Sequence, residues 1–321
     1  MLDVESLKKA ELHCHVDGLL NPALLKGISK DSEILRLVPN LDSFCPVKDL
    51  DDWLERYCPA IEPAVGNRGD LLLVMLAQYL RALKAQNVVY SEIMLSSFTF
   101  QHRDIADQIA LCKKFCHVAS EIGGDEMDVK FLLAIGRTTN RDRMERRAER
   151  ILQLAEAGVI CGVAVGGLEE ENTIRPYQDI FSMFRAAGLG IEIHAGEWTG
   201  PDLIWEALEY GYANRIGHGL ATFEDPVLVN HVREHGIHLE FCPTSNMLLT
   251  RHKDIADHPI KNAVAEEISF SINTDDPGPF CTDLNREFTI VANAFALTFA
   301  DFEKILQNSL SAAFGRQKSQ V

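Results

Sequence analysis

The sequence predicts an α/β protein, a (β/α)8 TIM-type barrel with a helical insert after its first strand. Two observations carry this prediction: the chain has eight short apolar segments of strand length, and amphipathic segments separate most of them. Strands that alternate with helices typically pair in parallel, and eight such units close a barrel. A doubly wound open sheet would normally have a glycine-rich phosphate loop after its first strand, and this sequence has none.

The predicted strands are apolar runs that end in polar or glycine-containing turns. They cover residues 10–16, 87–95, 129–136, 159–165, 190–196, 214–219, 237–243 and 269–275. The predicted helices repeat their apolar residues at helical spacing. They cover residues 69–85, 104–123, 141–157, 177–187, 202–210, 226–235 and 261–267.

A long interval, residues 19–68, separates the first predicted strand from the first predicted barrel helix. It contains the segment FCPVKDLDDWLERY, whose apolar pattern is compatible with a helix over the barrel mouth. No linker, internal repeat or low-complexity segment divides the 321 residues. We therefore expect residues 1–321 to form a single domain.

The composition limits the partners of this chain. The formal net charge is −16, which disfavours binding to nucleic acid or to an anionic membrane surface. The amino terminus lacks the apolar core of a signal peptide, and no apolar run reaches the length of a membrane span. The eight cysteines show no disulfide-framework spacing, which predicts reduced thiols and a cytoplasmic location.

The first predicted strand contains AELHCHVDG, with His13, His15 and Asp17 at alternate positions. Because side chains alternate along a strand, we expect these three to point the same way, while Leu12 and the alternate residues after it pack outwards. Two imidazoles on one face form half of a site for a divalent metal. An isolated H-x-H pattern is, however, more often a pair of hydrogen-bonded core histidines.

Three further strand ends carry ionisable side chains. His194 closes the apolar run GIEIHAGE, with Glu197 three residues later, and His218 lies between two glycines in RIGHG. Asp275 and Asp276 end the run SFSINTDD. In a barrel the carboxyl ends of the strands share one face, where active sites lie. Together the four strand ends favour a functional site over structural histidines.

These motifs resemble those of the adenosine/adenine deaminase family, part of the metal-dependent amidohydrolase superfamily. The similarity comprises H-x-H-x-D-G, HAGE, RIGHG, CPTSN and NTDDP in this order, and it extends from about residue 8 to about residue 302. It implies a (β/α)8 barrel and a hydrolase that uses water to displace ammonia from C6 of a purine.

The resemblance implies one zinc ion per chain, with His13, His15, His194 and Asp275 as its ligands. Three imidazoles and one carboxylate suit zinc and leave a position for water. Bound zinc lowers the pKa of that water to about 7, so that a nucleophile is present at neutral pH.

The resemblance also implies catalytic and substrate-binding roles. Glu197 resembles the proton donor to ring N1, and His218 resembles the residue that orients and helps to deprotonate the water. Asp275 shares that base role, and Asp276 resembles the residue that binds ring N7. The residues implied to contact the substrate are His15, Asp17, Gly167, through its backbone, and Asp276.

Asp17 favours a nucleoside, adenosine or deoxyadenosine, because family members that act on free adenine tend to carry glutamate at this position. The chain departs from the family at Ala164, where relatives have an acid, and at Met94, where they often have arginine. These departures leave adenine and 5′- or N6-substituted adenosines as alternative substrates.

Two other functions are less compatible with the sequence. A catalytically silent barrel relative would be expected to lack a ligand or the acid, and none is missing here. A two-metal hydrolase of cyclic amides usually needs a bridging carboxylate or modified lysine at the end of the fourth strand. The segment GVAVGG at that position offers neither.

Overall fold

Eight parallel strands form the centre of the fold, in the order in which they occur along the chain. The computed structural model describes residues 2–19, 46–66, 68–100, 103–169 and 173–316. The predicted parallel barrel with alternating helices is confirmed. The strands are β1 (Lys9–Glu11), β2 (Val88–Ser96), β3 (Asp128–Gly136), β4 (Gly162–Gly166), β5 (Gly190–Ala195), β6 (Arg215–His218), β7 (His238–Phe241) and β8 (Phe270–Ile272).

The barrel closes just beyond the ends of β1 and β8. The amide of His15 donates to the carbonyl of Asp275 at 2.9 Å, and the amide of Asp275 donates to the carbonyl of His13 at 3.0 Å. These two bonds form a parallel bridge between Cys14 and Asp275. Both strands are shorter than predicted, so these residues lie in the segments that follow the ladders.

Helices follow the strands and cover the outside of the barrel. The seven predicted helices agree with the structure to within two residues at each end, and two further helices follow β8. The helices are α1 (Leu50–Asp52), α2 (Cys58–Val65), α3 (Gly69–Ala85), α4 (Ile105–Gly123), α5 (Arg141–Glu156), α6 (Gln178–Ala186), α7 (Pro201–Glu209), α8 (Pro226–Glu234), α9 (Pro243–Leu249), α10 (Ile260–Ala265), α11 (Leu284–Phe295) and α12 (Phe299–Ala312).

The predicted insert after the first strand is helical over residues 50–65 of its described part. Residues 20–45 lie outside the described residues. A π-helical turn, Trp53–Tyr57, joins α1 to α2, so residues 50–65 form one continuous helical segment. The rings of Trp53 and Tyr57 stack at 4.6 Å. We call residues 50–65 the entrance helix, because its side chains line the cavity at the carboxyl end of the barrel.

The alternation predicted for the first strand holds only after residue 12. Cys14 and Val16 pack in the main core, as expected. Leu12 was expected to pack with them, but it packs in a separate buried cluster with Ala10 and Tyr90. The parallel pairing of β1 ends at Glu11. The amide of Leu12 donates to the side chain of Asn273 instead, and the alternation of side chains is interrupted at this residue.

The interior of the barrel is polar on one side. Arg215 on β6 pairs with Glu92 on β2 at 2.7 Å and with Glu240 on β7 at 2.5 Å, and all three side chains are at most 1% exposed. Because β2 and β6 are not neighbours, the first pair spans the interior. Met94, Leu132 and Ala164 form an apolar cluster on β2, β3 and β4.

All seven cysteines among the described residues are free, as the scattered spacing indicated. No helix within the described ranges has both the length and the apolar character needed to cross a membrane.

We predict that Arg215→Met lowers the free energy of unfolding by about 3–5 kcal/mol, because it leaves two buried carboxylates without their cation. Arg233→Met is the control, since Arg233 pairs with Glu266 at the surface, where such pairs contribute less than about 1 kcal/mol. Urea unfolding measures both variants. Equal losses of stability in the two variants would show that the buried ion pairs of Arg215 contribute no more to stability than a surface pair.

Candidate active site

A cavity of about 380 Å³ opens at the carboxyl end of the barrel. A depression of similar size near Cys116 and Cys161 contains none of the predicted site residues. His13 lies next to the cavity and is fully buried. The other predicted site residues line it: His15, Asp17, Gly167, His194, Glu197, His218, Asp275 and Asp276.

The four residues predicted to bind metal converge at the base of the cavity. Oδ1 of Asp275 lies 3.4 Å from Nε2 of His13 and 3.4 Å from Nε2 of His15. The ring centroids of His13 and His194 are 4.5 Å apart, and those of His15 and His194 are 5.4 Å apart. Three imidazoles therefore surround one carboxylate.

The donor atoms of this cluster are suited to a metal ion. Nδ1 of His13 lies 2.7 Å from the Glu240 carboxylate, which can only accept, so this nitrogen carries a hydrogen, and in the neutral ring that binds a metal the lone pair is on Nε2. The Nε2 atoms of His13 and His194 are buried without a hydrogen-bond partner. Burial opposes ionisation of Asp275, but the surrounding histidines outweigh it and hold the pKa of this carboxyl well below its usual value.

Ligand-type atoms of four other residues lie nearby, and those of Glu192 and Glu240 form one group with His13. Sγ of Cys242 and a ring nitrogen of His218 each fall within a group whose atoms are at most 4.8 Å apart, and His13 belongs to both groups. Burial raises the pKa of the Cys242 thiol, which donates to the carbonyl of Glu240 at 3.7 Å. A neutral thiol is a poor ligand, because metals bind the thiolate. His218 is held by Asn246 at Nδ1.

Glu197 lies on the loop after β5 and is only 5% exposed. Its Oε2 is 3.5 Å from Nε2 of His218. Burial raises the pKa of Glu197 well above its usual value, and the nearby charges of Asp275 and Glu169 add to the effect. A carboxyl group that holds its proton above the ordinary range is suited to act as an acid.

The loop that carries Glu197 is anchored by Glu169, a residue that the sequence patterns did not single out. Its Oε1 accepts from the amide of Glu197 at 3.1 Å. Its Oε2 accepts from the amides of Trp198 and Thr199 at 3.1 and 2.8 Å, and from the Thr199 hydroxyl. One carboxylate thus satisfies three consecutive amides.

Asp275 and Asp276 are fixed from opposite sides. The Ser245 hydroxyl donates to Oδ2 of Asp275 at 2.7 Å, so the serine of CPTSN supports the cluster. A Cβ at Gly18 would lie 2.7 Å from Cα of Asp276, closer than real Cβ contacts allow, which accounts for the glycine after Asp17. Burial, and then the charge of Asp275, raise the pKa of Asp276 well above its usual value.

The backbone at the site is unusual in two places. His218 has φ of 59° and Asp275 has φ of 62°, both in the left-handed region. Only a few per cent of residues other than glycine adopt it, and such conformations concentrate at functional sites. Gly217 precedes His218, and a Cβ there would lie 3.0 Å from the rings of both His13 and His194. The glycine allows the three histidines to approach.

The upper part of the cavity combines an open carboxylate with apolar walls. Asp17 begins a short 3-10 turn, and its Oδ1 is buried without a hydrogen-bond partner. Gly167 has φ of 91°, a backbone conformation that favours glycine, and a Cβ there would meet only the Arg137 amide nitrogen, at 3.8 Å. None of the described residues that line the cavity is lysine or arginine. The large apolar and aromatic side chains of the walls are Trp53, Leu54, Tyr57, Ile61, Ile135, Leu168, Trp198 and Leu249.

A parallel eight-stranded α/β barrel that gathers three histidines, an aspartate and a buried glutamate at its carboxyl end defines a metal-dependent hydrolase of the amidohydrolase class. The sequence profile of the family described as adenosine deaminase matches residues 8–320. The chain therefore belongs to the adenosine deaminase family, as the sequence motifs implied, and is a deaminase.

Individual relatives agree with this assignment. An adenine deaminase from Chelativorans sp. (strain BNC1) is 29% identical over 98% of this chain and 96% of its own length. An aminodeoxyfutalosine deaminase from Streptomyces coelicolor is 30% identical over 97% of this chain and 81% of its own length. For the fold alone, the crystal structure of an amidohydrolase from Burkholderia ambifaria with bound zinc has a TM-score of 0.80 at 21% identity, covering 98% of this chain and 88% of that one.

We predict that Glu169→Gln lowers kcat about 10- to 100-fold. The amide group places a donor against backbone donors, and a hydrogen bond to a charged group contributes about 1.5–3 kcal/mol. Deamination and bound zinc would be measured together, because only the loop that carries Glu197 should be displaced. Glu149→Gln, on the exposed face of α5, is the control. A variant with wild-type kcat would show that Glu169 does not position Glu197.

Proposed function

We propose that this chain is a zinc-dependent hydrolytic deaminase that replaces the 6-amino group of an adenosine carrying a neutral, largely apolar substituent. The observation that carries the proposal is the convergence of His13, His15, His194 and Asp275 beneath the buried carboxyl of Glu197. Ammonia is the second product, and water is the second substrate.

We assign one zinc ion per chain to the four converging residues. When bound there, zinc supplies an activated water at neutral pH. Glu240 orients His13 through Nδ1, and Ser245 orients Asp275 through Oδ2. Groups behind the ligands fix the directions of their donor atoms, which typically strengthens metal binding 10- to 100-fold.

Glu197 acts as the acid in this proposal. Attack at C6 moves electron density to ring N1, which must then receive a proton. The raised pKa of Glu197 supports this role, because the carboxyl keeps its proton at pH values where an ordinary glutamate is ionised. The supporting bonds from Glu169 hold the loop in place while the proton moves.

The remaining polar groups would orient the purine. Asp276 lines the cavity close to Asp275, and its raised pKa supports a carboxyl that donates a hydrogen bond to ring N7. Gly167 faces the same cavity, and its lack of a side chain lets the ring approach the backbone. Both residues hold the ring and leave the proton transfer to Glu197.

The preference for a substituted nucleoside rests on the upper cavity. The free Oδ1 of Asp17 offers a hydrogen-bond partner for a sugar hydroxyl. The apolar side chains of the entrance helix, with Leu168, Trp198 and Leu249, can bury an apolar substituent. Acidic side chains and the absence of described cations disfavour a phosphorylated substrate. Unmodified adenosine would leave much of this wall exposed to water.

Free adenine is the second candidate substrate. The first five curated relatives by similarity carry the name adenine deaminase, at 28–29% identity. Adenine would use the lower cavity alone and would leave both Asp17 and the apolar wall without a partner. The two candidates therefore differ in whether residues of the upper cavity contribute to kcat/KM.

A substrate panel tests the proposal. Zinc-loaded protein would be assayed by ammonia release and purine absorbance with adenine, adenosine, deoxyadenosine, adenosines with apolar 5′ groups, N6-methyladenosine and AMP. We expect the highest kcat/KM with an apolar 5′ group and the lowest with AMP. The highest value with adenine would establish the second candidate, and no ammonia from any compound would refute the deaminase.

We predict that Glu197→Gln lowers kcat about 10²–10⁴-fold, while zinc content and KM change little, because glutamine cannot donate the proton. Wild-type kcat should fall as the pH rises through the elevated pKa of Glu197, since the acid form is required. Glu206→Gln, which replaces another buried glutamate outside the cavity, is the control and should retain kcat. A Glu197→Gln enzyme with wild-type kcat would show that Glu197 is not the proton donor.

A further inference from the structure

Behind His218, away from the cavity, a chain of hydrogen bonds runs through two side chains. Asn246 on α9 contacts Nδ1 of His218 at 3.0 Å, and its Oδ1 lies 3.1 Å from Nε2 of His258. Asn246 and His258 are fully buried, and neither lines the cavity. Bonds between such groups have a direction that the chemistry of their donors can determine.

Two backbone amides settle that direction. The amide of Ile260 donates to Nδ1 of His258 at 3.2 Å, so the hydrogen on this ring is on Nε2 and points to Asn246. The amide of Cys242 donates to Oδ1 of Asn246 at 3.1 Å. Because a backbone amide can only donate, the atom it meets is the oxygen of Asn246. The amino group of Asn246 must then face His218.

We propose that Asn246 is a positioning residue that holds His218 in the tautomer with its hydrogen on Nε2. The amino group of Asn246 donates to Nδ1 of His218, so a neutral ring carries its hydrogen on the other nitrogen. That nitrogen faces Glu197 and the cavity. His218 therefore presents a hydrogen-bond donor to the substrate and the attacking water.

This tautomer determines what His218 can do in the reaction. The role in catalysis rests on the proposed deaminase function, whereas the tautomer itself does not. An Nε2 that carries hydrogen cannot coordinate zinc, which removes His218 from the ligand set and leaves His15 as the third imidazole. It also cannot accept a proton from water. The base role implied jointly for His218 and Asp275 then falls to Asp275, which receives the proton on a carboxylate oxygen.

His13 provides an internal comparison. Its Nδ1 meets the carboxylate of Glu240, an acceptor, whereas Nδ1 of His218 meets an amino group, a donor. The two rings lie 4.9 Å apart, but the groups behind them select opposite tautomers. One ring therefore presents a lone pair to the site, and the other presents a hydrogen.

Nitrogen NMR of the histidine rings tests the tautomer directly. Zinc-loaded protein labelled with ¹⁵N in histidine would be compared with a His218→Gln variant to assign the ring. We expect the protonated nitrogen of His218 to be Nε2 and Nδ1 to be unprotonated. Hydrogen on Nδ1 of His218 in the wild-type protein, with Nε2 unprotonated, would overturn the proposal, and no activity measurement is needed for this test.

Asn246→Asp tests the role of the amino group. Aspartate has the same shape and keeps the acceptor for Cys242 and His258, but it places an acceptor against Nδ1 of His218. We expect the ring hydrogen to move to Nδ1 and kcat to fall about 10²–10³-fold, the usual effect of losing one positioned donor, with KM little changed.

Thr250→Val is the matched control, because the Thr250 hydroxyl bonds to the backbone carbonyl of Asn246 at 2.7 Å and not to its side chain. It should leave the tautomer and kcat unchanged. An Asn246→Asp protein with the wild-type tautomer and kcat would refute the positioning role. A wild-type protein that shows the Nε2 hydrogen but releases no ammonia from the substrate panel would refute the deaminase function and leave the tautomer assignment standing.

Discussion

The two backbone bonds between the segments after β1 and β8 are the interaction on which the site depends. They join Asp275 to His13 and His15, so the step that closes the barrel also brings two histidines to the aspartate. The chain places these residues about 260 positions apart in sequence. Their contact therefore requires the complete circuit of eight strands. Asp275 has a left-handed backbone at this junction, and its Oδ1 lies 3.4 Å from Nε2 of both His13 and His15.

The groups behind the site determine its chemistry as much as the residues that face the cavity. Glu240 accepts from His13, Asn246 donates to His218, and Glu169 holds the loop of Glu197. Glu240 is itself paired with Arg215 in the polar half of the barrel interior. Glu240 therefore connects the ion pairs of the barrel interior to His13, which faces the metal position.

The sequence predicted the barrel and the residues that converge in it, because strand ends and motif order are visible along the chain. His13, His194 and Asp275 follow from such patterns. Glu169 does not, since its role depends on a loop that approaches from another strand. The orientation of the Asn246 side-chain amide depends on the backbone amide of Cys242. The left-handed backbone of His218 likewise depends on tertiary contacts. The break at Leu12 arises where the ladder ends, which the alternating pattern does not reveal. These features are set by tertiary contacts rather than by local composition.

The entrance helix contacts the substrate cavity but contributes none of the groups that converge on the metal position. Its residues 50–65 belong to an insert and contribute part of the cavity wall, whereas the groups that converge on the metal position come from strand ends. Replacing a wall residue such as Leu54 leaves every hydrogen bond of the catalytic cluster in place. The substrate range can therefore diverge in evolution, or be redesigned, through one surface element while the reaction itself is inherited unchanged.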